Sequence, residues 1–203
     1  MGPVVRVKVC GVTRPEDAAM VEAAGAHAVG LVFAPSKRQL SPEQAAAVSA
    51  ALGPFVARVG VFVDEEPERV LELAALARLS ALQLHGDEPP EHARRLARHY
   101  PVIKAFRLKG PPPAELFSYP ADAYLLDGPR PGSGQAFDWR WLEGVPRGAR
   151  VIVAGGLGPE NVCTLLERYK PYGVDVSSGV ESKPGVKDSE RVAAFLAAVE
   201  RCG

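Results

Sequence analysis

Apolar residues recur along the chain in two alternating rhythms. Short β-branched runs begin near residues 5, 28, 58, 81, 102, 122, 150 and 173. Several keep a period of two: Val5, Val7 and Val9 alternate with Arg6, Lys8 and Cys10, and Val174 and Val176 with Asp175 and Ser177. Between most of these runs lie segments rich in Ala, Leu and Glu that read as helices. Thr13 precedes Glu16, and Ser41 precedes Gln44, at capping-box spacing. Pro42 and Pro159 suit a first helical position, and Gly25 suits a left-handed helix stop. The fifth crossover is the weak helix, because Pro111, Pro112 and Pro113 leave it little room.

Eight strands, each followed by a helical segment, predict a parallel sheet, since parallel neighbours need crossover connections. Eight is also the number that closes a barrel, whereas open doubly wound sheets usually hold five or six strands. The expected fold is therefore α/β, a single compact (β/α)8 TIM barrel over residues 1–203, with its active site at the carboxyl ends of the strands. The valine faces should pack beneath the helices and the polar faces should point inward. Arg6, Lys8, Arg58, Gln83 and Lys104 then read as interior structural residues. A Lys8–Asp175 contact is expected because strands one and eight become neighbours. Cys10, His85, Asp127 and Ser177 fall at the carboxyl ends, where such barrels work.

Charge narrows the partners. The 24 basic and 24 acidic residues cancel, which argues against nucleic acid or an anionic membrane, since both need a basic field. The first residues, Met-Gly-Pro-Val-Val-Arg-Val-Lys, hold no leader-type apolar run. Cys10, Cys163 and Cys202 share no metal-type spacing, and three is an odd count for a disulfide framework. Cys163 and Cys202 read as structural residues on helices, and the cytoplasm is the expected location. Four scattered histidines show neither HxH nor HExxH spacing, so no metal is expected. A single asparagine beside abundant Arg and Pro leans toward a thermostable protein. A homodimer is left open.

Two glycine-bearing segments stand at strand ends seven and eight: Gly155 and Gly156 in the first, and Ser177, Ser178 and Gly179 in the second. Backbone amides there can approach an anion closely, and this is the recurring phosphate position of such barrels. A phosphorylated small molecule is the expected ligand. Glycine also serves ordinary turns, so the motif does not choose among sugar-phosphate enzymes.

Four segments read together are more specific. They are Val-Lys-Val-Cys-Gly-Val-Thr from residue 7, Gln83-Leu-His-Gly86, Leu126-Asp127 with Gly132-Ser-Gly-Gln-Ala-Phe-Asp-Trp139, and Val174-Asp-Val-Ser-Ser-Gly-Val-Glu181. With Ser36-Lys-Arg38, they resemble the phosphoribosylanthranilate isomerase family over nearly the whole chain. The resemblance implies a cofactor-free Amadori rearrangement of N-(5-phosphoribosyl)anthranilate in tryptophan biosynthesis. It implies Asp127 as the acid, Cys10 as the base, and Arg38 as the grip on the anthranilate carboxylate. His85 is implied at the border of the substrate, and Asp175 either touches a ribose hydroxyl or only pairs with Lys8. Read alone, Cys10 favours a small buried hydrophobe, an order that Gly11 and the strand-end position reverse; Asp127 beside Gly128 and Pro129 also reads as a turn residue, and Arg38 equally as a solvated loop residue. Lys8 or Arg6 is the expected source of positive charge beside the thiol. The rivals are another sugar-phosphate barrel enzyme and a non-catalytic phosphate-binding barrel, but the latter makes no demand on Cys10 or Asp127.

Overall fold

The computed structural model describes residues 4–128 and 137–203. Met1 to Pro3, Pro129 and the 132–136 part of the third resemblance segment lie outside the described residues. The strands are β1 (Arg6–Cys10), β2 (Ala28–Val32), β3 (Ala57–Phe62), β4 (Ala81–Leu84), β5 (Val102–Arg107), β6 (Ala123–Asp127), β7 (Val151–Val153) and β8 (Gly173–Val176). They pair in that order, all parallel, and β1 closes on β8 with Lys8 opposite Asp175. The eight-unit reading of the sequence is the observed one.

The crossovers are less regular. They carry α1 (Pro15–Ala23), α2 (Pro42–Ala50), α3 (Pro67–Leu76), α4 (Pro90–Leu96), α5 (Val162–Arg168) and α6 (Ser189–Cys202). After β5 and β6 the described residues hold only the 3-10 turns Ala114–Ser118 and Trp139–Gly144. The prolines at 111–113 account for the first of these, since they offer no amide donors and fix their own φ. A small hairpin of β9 (Glu181–Lys183) and β10 (Val186–Lys187), absent from the sequence reading, follows β8.

The caps follow the sequence pattern only in part. Ser41 and Gln44 form their capping box with Pro42 at the start of α2, and Gly25 ends α1 at φ 96°. The Thr13–Glu16 box does not form: α1 begins at Pro15, and the Thr13 hydroxyl donates instead to Gly185 O at 2.5 Å. Pro159 lies in the turn ahead of α5, whose first residue is Val162.

Val7, Val9, Val174 and Val176 join the main apolar core, as their alternation predicts. A separate cluster of Ala105, Ala123, Leu125, Ile152 and Ala154 fills part of the barrel interior. Three interior assignments need correction. Ala105 faces inward, so Lys104 faces out, where it pairs with Glu88 at 2.6 Å. Arg6 sits exposed at the amino-terminal end of β1 and stacks over the Tyr172 ring at 4.5 Å. Arg58 reaches from β3 to the end of α2, donating to Ser49 O and Leu52 O, where a cation meets the helix's negative end. Cys163 and Cys202, structural residues on helices by sequence, form a disulfide that joins α5 to α6, leaving Cys10 as the free cysteine. The odd count is thus one disulfide plus one thiol.

Candidate active site

β1, β4, β6 and β8 deliver their inward-facing residues to one mouth of the barrel. Cys10 ends β1, His85 follows β4, Asp127 ends β6 and Ser177 follows β8. Beneath them Lys8 Nζ donates to Asp175 Oδ1 at 2.9 Å, with both side chains largely buried. Burial opposes the charge on Lys8, but Asp175 and Cys10 more than offset it, so its pKa is raised. Burial likewise raises the Asp175 carboxyl, Lys8 pulls it back, and the neighbouring Asp127 charge raises it further.

The thiol lies against β2. Cys10 is registered opposite Gly30, where a Cβ would come within 2.7 Å of its Sγ. A side chain at 30 would therefore displace the thiol. Burial pushes the Cys10 pKa up, with Lys8 and Lys187 acting in the other direction. The expected neighbouring cation is present as Lys8, without Arg6, but it does not overcome the loss of water. Lys187 was not foreseen.

Asp127 is 6% exposed. Its Oδ1 accepts the Gly128 amide at 2.7 Å, and its Oδ2 faces His85 Nε2 at 3.6 Å. Gln83 contacts the other ring nitrogen of His85 at 2.9 Å. With the Gln83 amide nitrogen donating there, the neutral ring carries its proton on Nε2, toward Asp127. That Nε2 has no hydrogen-bond partner among the described residues.

The loops after β7 and β8 adjoin. Gly155 and Gly156 both take positive φ, 84° and 65°, which a side chain would strain. A Cβ on Gly179 would collide with Leu157 O, so the second loop packs directly on the first. The amides of Gly155, Gly156, Ser178 and Gly179 donate to no acceptor among the described residues. Ser177 Oγ donates to Cys10 O at 3.1 Å and so ties the β8 end to the β1 end.

Arg38, in the loop after β2, reaches this mouth over Gly11, where φ is 71° and a Cβ would strike the Arg38 side chain. Its partner is Glu181, through Nε at 2.7 Å and Nη2 at 2.6 Å. The solvated-loop reading of Arg38 is wrong, for its side chain is only 14% exposed. Sequence reading assigned no role to Glu181 or Lys187. The one available signal was charge balance, because an arginine held at a barrel mouth needs a carboxylate. Among the described residues no group of three or more His, Cys, Asp or Glu side chains has a metal-holding arrangement.

Fold and mouth define a (β/α)8-barrel enzyme that works at the carboxyl ends of its strands. The model of the family described as N-(5'-phosphoribosyl)anthranilate (PRA) isomerase matches residues 7–198, and the chain belongs to that family. The N-(5'-phosphoribosyl)anthranilate isomerase of Thermotoga maritima is 46% identical over 200 residues, covering 95% of this chain and 97% of that one. The crystal structure of phosphoribosyl anthranilate isomerase from Thermus thermophilus is 53% identical with a TM-score of 0.91, covering 97% of this chain and 99% of its own. A second crystal structure holds reduced 1-(o-carboxyphenylamino)-1-deoxyribulose 5-phosphate; it is 42% identical with a TM-score of 0.87, over 98% of this chain and all (100%) of that one.

Proposed function

We propose that residues 1–203 act as one catalytic domain that isomerises N-(5'-phosphoribosyl)anthranilate, without cofactor, in tryptophan biosynthesis. The observation that carries this reading is one free thiol and one buried carboxyl at the same mouth, Cys10 and Asp127, in a chain of this family. Asp127 gives its proton to the furanose ring oxygen. The C1′–O bond then breaks as the anilino nitrogen lone pair forms the iminium. Cys10, as thiolate, removes the C2′ proton, and that electron pair forms the C1′=C2′ bond and neutralises the nitrogen. The enolamine tautomerises to the ketone, and solvent exchange resets both groups. The two groups need opposite tuning, one holding its proton and the other giving it up.

The amides of Gly155, Gly156, Ser178 and Gly179, with Ser177, form the phosphate site of this reading, and Arg38 is the grip on the anthranilate carboxylate. His85 and Asp175 border the sugar. The direct test is conversion of phosphoribosylanthranilate, followed by loss of anthranilate-type fluorescence in chelator-treated buffer. No conversion at any pH would leave the non-catalytic phosphate-binding barrel as the better reading.

The protein is further proposed to work in the cytoplasm as a homodimer. A free thiol at the mouth suits a reducing compartment, and intracellular proteins of hyperthermophiles carry disulfides of the Cys163–Cys202 kind. Dimerisation is supported by a related structure described as monomers of a dimeric enzyme from Thermotoga maritima. It is also supported by Phe55, 96% exposed, and Val4, 64% exposed, since burying such residues favours association. Sedimentation giving a monomer at micromolar concentration rejects the dimer.

A further inference from the structure

Arg38 commits one edge of its guanidinium to a protein carboxylate. Nε and Nη2 both go to Glu181, so the edge bearing Nη1 is the one left for a second anion. Glu181 is itself fixed from two sides. Its Oε1 accepts Lys187 Nζ at 2.8 Å and the Gly185 amide at 3.3 Å. Lys187 has no exposed side-chain surface, and it also donates to Cys10 O at 2.6 Å and Ser177 O at 3.2 Å. The cluster thus links the loop after β2, the end of β1 and the end of β8. Two cations and one anion leave a single positive charge, which suits one incoming carboxylate. Without Lys187, Glu181 would cancel Arg38.

We propose that Glu181 and Lys187 are positioning residues for substrate recognition: Glu181 holds Arg38 by one edge so that the other meets the substrate carboxylate, and Lys187 neutralises Glu181. This rests on Arg38 as the carboxylate grip. Burial works against charge at all three groups and leaves Lys187 below its ordinary value, yet Arg38 and Lys187 together hold Glu181 below its own. The fork is therefore ionised at neutral pH.

Glu181→Gln tests it with little change of shape. The Gln amide oxygen can keep the Lys187 and Gly185 contacts, but its NH2 then opposes Arg38 Nη2, donor against donor. Loss of one charge-assisted contact predicts a KM for phosphoribosylanthranilate about tenfold higher, with kcat little changed. The KM for N-phosphoribosylaniline, which lacks the carboxylate, should not move. Glu181→Asp keeps the charge but shortens the reach, and should raise the first KM less; it carries the test if Glu181→Gln melts early. Equal rises for both substrates would make Glu181 merely structural and overturn the proposal. A lower KM for the carboxylate substrate would also overturn it, since Glu181 would then be a competitor. Arg38→Ala separates the two levels: if it leaves the KM for phosphoribosylanthranilate unchanged, the carboxylate-grip reading itself fails. If it raises that KM while both Glu181 variants behave as wild type, only the positioning role fails.

Discussion

Lys8 and Asp175 meet at 2.9 Å across the seam where β1 closes on β8. The pair does two jobs at once. It fills the barrel interior at the closure with matched charge, and it sets a cation beneath Cys10 that pulls the thiol pKa down against the effect of burial. Removing one partner leaves the other charged, buried and alone. Lys8→Met should therefore cost about 3–5 kcal/mol of unfolding free energy, read from urea denaturation. The paired variant with Asp175→Asn should lose less than the two single losses combined. A single-variant loss below about 1 kcal/mol would show that water or rearrangement satisfies Asp175.

The Cys163–Cys202 disulfide closes a loop of 39 residues between α5 and α6. Loop-closure entropy of that size predicts about 4 kcal/mol of stabilisation under oxidising conditions. Replacing both cysteines with alanine should lower stability by that order without changing turnover, because neither helix supplies a residue to the mouth. Wild type in strong reductant should converge on the variant. Identical urea midpoints in oxidising buffer would mean the bond does not form in solution.

Strand positions were legible because β-branched residues at period two report a pleated, half-buried surface directly. The Lys8–Asp175 contact was legible for the same reason: closure fixes which strands are neighbours. What failed was orientation without an obvious neighbour. Lys104 was placed inside because it interrupts an apolar strand, but Ala105 is the inward residue and Lys104 has a buried partner outside. The Thr13–Glu16 spacing matched a capping box, yet Thr13 is held by Gly185, far along the chain. The candidate site shows the same division. Cys10, His85, Asp127 and Ser177 follow from strand ends, whereas the Arg38–Glu181 fork joins residues 143 apart in sequence. No local pattern encodes such a pair, and the hairpin carrying Lys187 gave no strand signal of its own.

Glu88 offers a pH test of the outer side of β5. Burial disfavours its charge, but Lys104, the Asp64 amide and its own backbone amide more than compensate, so its folded pKa lies below the ordinary 4.5. A depressed carboxyl pKa adds stability that is present above the unfolded value and is lost as pH falls through the folded one. Wild type should therefore lose stability on acidification below about pH 4.5. Glu88→Gln should be less stable than wild type at neutral pH, and the gap should narrow as the medium becomes more acid. Urea midpoints across that range decide it, and a constant gap would mean that Glu88 contributes through shape alone.

The sharpest prediction separates base from acid. Cys10→Ser keeps size and a hydroxyl but offers a far poorer proton acceptor, so kcat should fall by about 10² or more. Asp127→Asn keeps shape but has no acidic proton for the ring oxygen, and should cost at least as much. Both variants should stay folded and still bind reduced 1-(o-carboxyphenylamino)-1-deoxyribulose 5-phosphate, because the Arg38 fork and the glycine loops are untouched. Burial pushes the Cys10 thiol up, so its alkylation rate should titrate above the ordinary thiol value of about 8.5. Lys8→Met should move that midpoint higher still, since Lys8 is the strongest influence lowering it. In the pH profile of kcat/KM, the limb that rises as the thiol loses its proton should shift with it. Near-normal turnover in Cys10→Ala would refute the role of base, returning Cys10 to a packing residue beside Gly30.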